Sequence, residues 1–176
     1  MEVILIRHTS VAVAPGTCYG QSDVPVADTF ATEAAATKQH LAQYGPIDKA
    51  YTSPLTRARM LATYCGYPHA EADRRLLEMA MGDWEMRRYD DISDPYLQQW
   101  YADYLHLPTP NGESFIQQLA RVSQFLDALC TTPYRRVAVF AHGGVLASAS
   151  VYAGIYTLET VWQHLVPYGG IISIEI

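Results

Sequence analysis

The chain has 176 residues, of which 49% are apolar and 17% charged, a balance that excludes an intrinsically disordered protein. Its formal net charge of −6 argues against broad contact with nucleic acid or an anionic membrane surface. Its three cysteines form no CxxC pair, so we expect free thiols in a reducing compartment. No signal-like segment or membrane-length apolar run is present, which favours a cytoplasmic protein.

The first part of the chain alternates strand and helix patterns. Residues 3–7 form a β-branched apolar run, typical of a strand that is covered on both faces. Apolar residues at helical spacing then run from Phe30 to Tyr44, and Gly45-Pro46 is expected to end that helix. A short strand is predicted at 48–52.

A helix is predicted next at 54–65, with Ser53 as its N-cap and Pro54 at its first position. The segment from about 78 to 112 is rich in aromatic residues and turn formers. We expect this segment to be an excursion that packs over the sheet and lines or covers a site. Aromatic packing within a small subdomain explains each single ring equally well.

The second part of the chain repeats the alternation. A strongly amphipathic helix is predicted at 113–130, a buried strand at 136–141, and a last strand in the C-terminal IISIEI. Strands that alternate with helices predict an α/β layer fold with a mainly parallel sheet, and no linker divides the chain. We therefore expect one domain over residues 1–176.

Three chemically active stretches follow predicted strands directly. They are Arg7-His8, the stretch from Ser53 to Arg57, and Ala141-His142-Gly143-Gly144. Because ligands of an α/β sheet bind outside the carboxyl ends of its strands, we expect two histidines and two arginines at one edge. Each histidine taken alone is more typical of a structural residue than of a catalyst.

Arg57 falls in the first turn of its predicted helix, where the helix dipole disfavours a cation. A bound anion would reverse this effect, because it would meet both the guanidinium and free helix N–H groups. The alternative is that Arg57 is simply exposed to solvent. Arginine forks pair well with phosphoryl oxygens, so the two arginines point to a phosphate ligand.

A neutral imidazole is a competent nucleophile at phosphorus, and its second nitrogen can be held by an acceptor. We expect the positive neighbours to hold the pKa of His8 below its ordinary value. Glu78, in LLEMAMGDWE, is the candidate general acid, since partial burial near Trp84 would favour a protonated carboxyl.

Four stretches together resemble the histidine phosphatase (phosphoglycerate mutase-like) superfamily in order and spacing. They are RHT at 7–9, SPLTRARMLA at 53–62, LLEMAMGDWE at 76–85 and AHGG at 141–144. The resemblance covers essentially the whole chain. It implies a three-layer α/β/α sandwich with a mainly parallel central sheet, and an enzyme that works through a phosphohistidine.

The resemblance also implies roles for individual residues. His8 would be the phosphorylated nucleophile, with Arg7 and Arg57 binding the phosphoryl oxygens. His142 would be the second catalytic histidine and would also bind the phosphate, and Glu78 would donate the proton. No metal and no cofactor are implied. A metal site formed by the two histidines and the glutamate is the alternative, which the neighbouring arginines disfavour because they would repel a cation.

The chain departs from the usual family pattern at several positions. Thr9 replaces the glycine of the Arg-His-Gly motif, which restricts the backbone beside His8. The loop SVAVAPGTCYGQSD lacks the Trp-Asn pair of the mutases, and His142 is followed by Gly143 rather than by the aspartate of acid phosphatases. Both departures favour a small phosphatase over a mutase or an acid phosphatase.

The stretch PGTCYGQSDVPV is most similar to the α-ribazole phosphatase group, which removes the 5′-phosphate of α-ribazole phosphate in cobalamin assembly. Tyr19, Gln21 and Gly143 are then the candidate substrate-binding residues. The expected partner is a small phosphorylated metabolite, with neither nucleic acid nor membrane. A broad sugar-phosphate or nucleotide phosphatase, a mutase and a non-catalytic interaction protein are the alternatives, and the oligomeric state is open.

Overall fold

A five-stranded sheet forms the centre of the molecule in a computed structural model that describes residues 1–176. Its strand order is β3-β2-β4-β1-β5. The strands are β1 (Glu2–Arg7), β2 (Lys49–Thr52), β3 (Glu71–Ala72), β4 (Arg136–Ala141) and β5 (Ile171–Glu175). Only β5 runs antiparallel to its neighbour, so the prediction of a mainly parallel sheet is confirmed.

Five α-helices cover the two faces of the sheet or extend beyond it. They are α1 (Phe30–Leu41), α2 (Thr56–Tyr64), α3 (Tyr96–Ala102), α4 (Phe115–Cys130) and α5 (Gly143–Tyr152). Side chains of β1 alternate between the faces, so Val3 and Leu5 pack with α4 and α5 while Ile4 and Ile6 pack with α1 and α2. This arrangement is the predicted three-layer α/β/α sandwich.

Local sequence signals explain where the longer helices begin and end. A capping box starts α4, since Ser114 accepts from the Gln117 N–H and the Gln117 side chain accepts from the Ser114 N–H. A short 3-10 turn extends α1 to Tyr44. Gly45 follows with φ of +79°, a conformation that favours glycine and ends the helix.

The start of α2 differs from the prediction. The helix begins at Thr56 with Leu55 as its N-cap, so Ser53 is not the N-cap and Pro54 is not the first helical residue. Ser53 instead lies in the turn between β2 and α2, where its hydroxyl accepts from the Leu55 N–H at 3.3 Å. The same hydroxyl reaches His142, so a distant side chain competes for the serine.

The aromatic segment between β3 and α4 consists of α3 and short 3-10 turns at Gly82–Trp84 and Tyr89–Asp91. It has its own hydrophobic cluster, in which the Trp84 and Trp100 rings meet edge to face with centroids 5.6 Å apart. No helix of the molecule has the length and apolar character needed to cross a membrane.

Candidate active site

The ends of β1, β2 and β4 bring the predicted residues together. In the parallel register of the central strands, Arg7 pairs with Ala141, so His8 and His142 follow at the same edge. Their ring centroids are 5.1 Å apart. Arg57, from the first turn of α2, reaches the same point and donates its Nε–H to His8 Nε2 at 3.3 Å. The edge predicted from the strand ends is therefore formed.

The imidazole of His8 is held in one tautomer. Its Nδ1 lies 2.7 Å from the carbonyl oxygen of Thr9, which can only accept, so Nδ1 carries the proton. Nε2 is then the unprotonated nitrogen and accepts from Arg57. Thr9 itself is fully buried and has no positive φ, so the position does not require the glycine that the family uses.

The pKa of His8 is lowered to about 3. Burial is the largest cause, because only 2% of the residue is exposed, and the charge of Arg57 adds to it. The pKa of His8 is thus shifted in the predicted direction, but burial contributes more to the shift than the positive neighbours do. The attacking, neutral form is therefore populated throughout the physiological pH range.

Arg57 is completely buried, which contradicts the alternative of a solvent-exposed side chain. Besides His8, its guanidinium donates to the carbonyls of Ser22 and Gly20 at 2.9 and 2.7 Å. The helix N-terminus is not left free for a ligand, because the Asp23 carboxylate accepts from the Thr56 N–H at 2.8 Å. Asp23 thus supplies the anion that the helix dipole favours.

Arg7, the residue before His8, contacts the C-terminal part of the chain. Its guanidinium donates to the Val166 carbonyl at 2.5 Å and packs against the Tyr168 ring, 4.1 Å from the centroid. Its buried Nε has no partner and is free to bind an anion. A Cβ atom at Gly143 would lie 3.2 Å from the Arg7 guanidinium carbon, so glycine lets this cation lie close to the start of α5.

His142 is completely buried directly before α5. Its Nε2 lies 2.7 Å from the Ser53 hydroxyl, and its Nδ1 has no partner. Burial lowers the pKa of His142 well below the ordinary value, and the charge of Arg57 adds to the effect. A buried imidazole nitrogen without a partner is an available hydrogen-bonding group for a ligand beside His8.

Glu78 is held by three N–H groups. Oε1 accepts from the Met79 backbone at 2.9 Å and from Gln118 Nε2 at 2.9 Å, and Oε2 accepts from the Gly144 backbone at 3.1 Å. A Cβ atom on Gly144 would lie 2.4 Å from Oε1, so only glycine admits the carboxylate here. Trp84 packs in the separate aromatic cluster. The surroundings of Glu78 are therefore more polar than the sequence indicated.

A cavity of about 470 Å³ opens beside these residues. Arg7, Glu78, Gly143 and Gly144 are part of its lining, and the rest of the lining is mainly aromatic and apolar: Tyr19, Met79, Met81, Tyr89, Trp100, Tyr101, Tyr104, Trp162 and Leu165. A larger groove of about 760 Å³ lies along α2 but contains none of the predicted site residues. Arg7, Glu78 and Gly143 thus line the smaller, aromatic cavity, whereas the buried His8, Arg57 and His142 are not part of its lining.

Of the predicted substrate-binding residues, Tyr19 and Gly143 line this cavity and Gln21 does not. The Gln21 side chain donates instead to the backbone carbonyl of Glu78 at 3.0 Å. Gln21 therefore contacts the segment that carries the carboxylate. No three His, Cys, Asp or Glu side chains are grouped so that they could hold a metal ion.

Three residues of the site were missed by the sequence reasoning. Tyr168 covers Arg7 and His8, Gln118 holds Glu78, and Glu85 accepts from the loop that contacts Arg57. A glutamine inside the apolar stripe of α4 was a usable signal for Gln118. Neither Tyr168 nor Glu85 interrupts a local pattern, so the sequence offered no comparable signal.

A family model described as the histidine phosphatase superfamily (branch 1) matches residues 3–176. The chain belongs to this superfamily. Its resemblance at the four motifs is thus confirmed over nearly the whole length.

Individual relatives are similar to the chain over almost their full lengths. The adenosylcobalamin/alpha-ribazole phosphatase of Salmonella typhimurium is 27% identical over 186 residues, covering 100% of this chain and 91% of the relative. The crystal structure of the alpha-ribazole phosphatase from Shigella flexneri superposes with a TM-score of 0.89 at 26% identity, covering 100% and 91% of the two chains. A phosphoglycerate mutase from Thermus thermophilus gives 0.78 at 26% identity, covering 99% and 93%.

Proposed function

We propose that this histidine phosphatase hydrolyses the 5′-phosphate ester of α-ribazole phosphate through a phosphohistidine on His8. The superfamily match and the grouping of His8, Arg57 and His142 support the reaction. The full-length similarity to a relative named adenosylcobalamin/alpha-ribazole phosphatase supports the substrate.

In the first step, the Arg57 Nε–H turns from His8 Nε2 to a phosphoryl oxygen, the freed lone pair of Nε2 attacks phosphorus, and the P–O bond to the ribose breaks. The Nδ1–H group remains hydrogen-bonded to the Thr9 carbonyl, and this bond stabilises the positive charge that develops on the ring. Arg7, Arg57 and His142 Nδ1 bind the phosphoryl oxygens, whose charge is spread in the transition state. The leaving alkoxide takes a proton from Glu78.

In the second step, water attacks the phosphohistidine and the P–N bond breaks. Glu78, now ionised, accepts a proton from this water, which returns the carboxyl to its starting state. The N–H groups of Gly144 and Gln118 stabilise the ionised carboxylate between the two steps. Inorganic phosphate and the free alcohol are the products.

The aromatic lining of the cavity is the observation that carries the choice of substrate. Trp100, Tyr101 and Tyr104 from the aromatic segment line the cavity together with Trp162, whose ring centroid lies 6.0 Å from that of Tyr104. Such a lining favours a flat aromatic leaving group, because ring stacking adds to the gain from burying apolar area. α-Ribazole carries a benzimidazole ring on its ribose, whereas a simple sugar phosphate offers no ring to stack.

The experiment compares kcat/KM for α-ribazole 5′-phosphate with a panel of sugar phosphates, nucleotides and 3-phosphoglycerate. We expect at least a hundredfold preference for the benzimidazole ester and stoichiometric release of inorganic phosphate. Equal use of simple sugar phosphates would overturn the substrate and favour a broad phosphatase. Transfer of the phosphate to a second hydroxyl without release would instead indicate a mutase.

A further inference from the structure

Gln118 is a polar side chain in an apolar position. It lies in the first half of α4, is completely buried, and has core residues Phe115 and Val122 on the same helix. A buried amide costs free energy unless its hydrogen bonds are made, and here only part of them is. Nε2 donates to Glu78, whereas Oε1 has no partner. A methionine of similar size would fill this space without an unpaired carbonyl.

The contact made by Gln118 is directed at the reacting carboxyl and not at the cavity. Gln118 does not line the cavity, whereas Glu78 does. Both side chains meet α5 at Gly144, where a Cβ atom would lie 2.5 Å from Gln118 Oε1 and 2.4 Å from Glu78 Oε1. The amide therefore lies behind the carboxyl, confined between α4 and the start of α5.

The donors around Glu78 are distributed unequally. Each carboxylate oxygen has about two acceptor positions. Oε1 uses two, for the Met79 N–H and for Gln118, and Oε2 uses one, for the Gly144 N–H. The open position, where a proton can reside, is thus on Oε2.

We propose that Gln118 is a positioning residue for the proton donor, a proposal that rests on the proposed function. By occupying Oε1, its amide directs the transferable proton to Oε2 and fixes the carboxyl plane against α5. Without this hydrogen bond the proton is shared between two oxygens and the carboxyl can rotate, so fewer enzyme molecules present it to the leaving oxygen.

The test compares two esters whose leaving groups differ in their need for a proton. Gln118→Met keeps the volume and removes the hydrogen bond, and Gln124→Met is the matched control, because Gln124 is exposed on the same helix. We expect Gln118→Met to lower kcat about tenfold or more for an alkyl ester such as glycerol 2-phosphate and less than threefold for nitrophenyl phosphate. KM and the melting temperature should be nearly unchanged.

Equal losses on both esters, or no loss on either, would overturn the positioning role. Both results differ from a failure of the proposed function: without the phosphohistidine reaction the unmodified protein would turn over neither ester, and with a different natural substrate it would still turn over both. Glu78→Gln in parallel should show the same selective loss on the alkyl ester. If Glu78→Gln spares that ester, the carboxyl is not the donor and Gln118 has nothing to position.

Discussion

Glu85 and Arg57 hold opposite sides of one loop. The Glu85 carboxylate accepts from the backbone N–H groups of residues 20–22 at 2.8–3.1 Å, and the carbonyls of residues 20 and 22 accept from Arg57. Burial would raise the pKa of Glu85, but these hydrogen bonds and one from the Ser22 hydroxyl hold it below its ordinary value. The Glu85 carboxylate therefore fixes the loop at residues 20–22, and this loop in turn holds the Arg57 guanidinium beside His8.

Glu85→Gln should lower phosphatase activity without touching the substrate. The amide NH₂ would face backbone donors that need an acceptor, so the loop and Arg57 lose their fixed positions. We expect a ten- to hundredfold lower kcat/KM and a loss of about 1–3 kcal/mol of unfolding free energy. Asp83→Asn, the same charge change at an exposed side chain, is the control for steady-state kinetics and urea unfolding. Unchanged activity in Glu85→Gln would contradict the role of the loop.

His8→Ala should abolish turnover and the acid-labile phosphoenzyme together, because no other nitrogen can replace Nε2 at this position. Rapid quench with a ³²P-labelled substrate measures the intermediate. Label that is retained on another residue of the variant would show that His8 is not the nucleophile.

Tyr19 and Tyr168 form a bridge across the phosphate site. Their hydroxyls are 2.8 Å apart, the Tyr168 ring lies 5.5 Å from the His8 ring, and only 2% of His8 is exposed. A substrate must separate the bridge to reach Nε2. Tyr168→Phe and Tyr19→Phe each remove the same hydrogen bond, worth about 0.5–1.5 kcal/mol, so each should raise kcat/KM roughly two- to tenfold. Tyr64→Phe, in the groove along α2, is the control.

A fall in kcat/KM for both of these variants would show that the hydroxyls bind the substrate instead of blocking it. Both substitutions remove the same hydrogen bond, so the double variant should gain no more in kcat/KM than either single variant. Gains that add up in the double variant would therefore contradict the bridge.

Stability should decrease in mild acid because of His8. Its pKa is about 3 in the folded protein and about 6.5 when unfolded, so between these values the unfolded chain binds more protons. Stability is therefore retained above pH 6.5 and lost as the pH falls toward 3. From pH 7.5 to 5 we expect His8 to contribute a loss of about 2 kcal/mol. In urea unfolding, His8→Gln should show a weaker pH dependence than the unmodified protein, and His69→Gln at an exposed position is the control.

Met86 is held in a left-handed conformation with φ of 62°, and 52% of the residue is exposed. This conformation strains a residue with a Cβ atom but not glycine. Met86→Gly should therefore raise the unfolding free energy by about 1 kcal/mol and the melting temperature by roughly 2–4 °C. Met60→Gly, at an exposed position of α2, should lower stability by a similar amount. A lower melting temperature for Met86→Gly would show that its side-chain contacts outweigh the strain.

Much of the fold was predictable because its signals are local. The continuous apolar runs of β1 and β4 predicted strands buried on both faces, and the stripe of α4 predicted its core side. The predicted start of α2 was wrong, because Ser53, the serine expected as its N-cap, is hydrogen-bonded to His142, 89 positions away.

The sequence by itself determined the chemistry at the strand ends. His8, Arg57 and His142 follow apolar strands or open a helix, and the register of a parallel sheet places such positions at one edge. The sequence did not show which atoms of these side chains are available for the reaction. The choice of Nε2 on His8 depends on the Thr9 carbonyl, and the open position on Glu78 depends on Gln118, 40 positions away.

Only the tertiary structure decided how the site is enclosed. Tyr19 and Tyr168 are 149 positions apart, and neither lies in a pattern that predicts the other. Local spacing predicts helices and strands because side chains return to the same face about every 3.6 residues in a helix and every second residue in a strand. A hydrogen bond between two distant loops depends on the packing of every layer between them, so it appears only when the chain is folded.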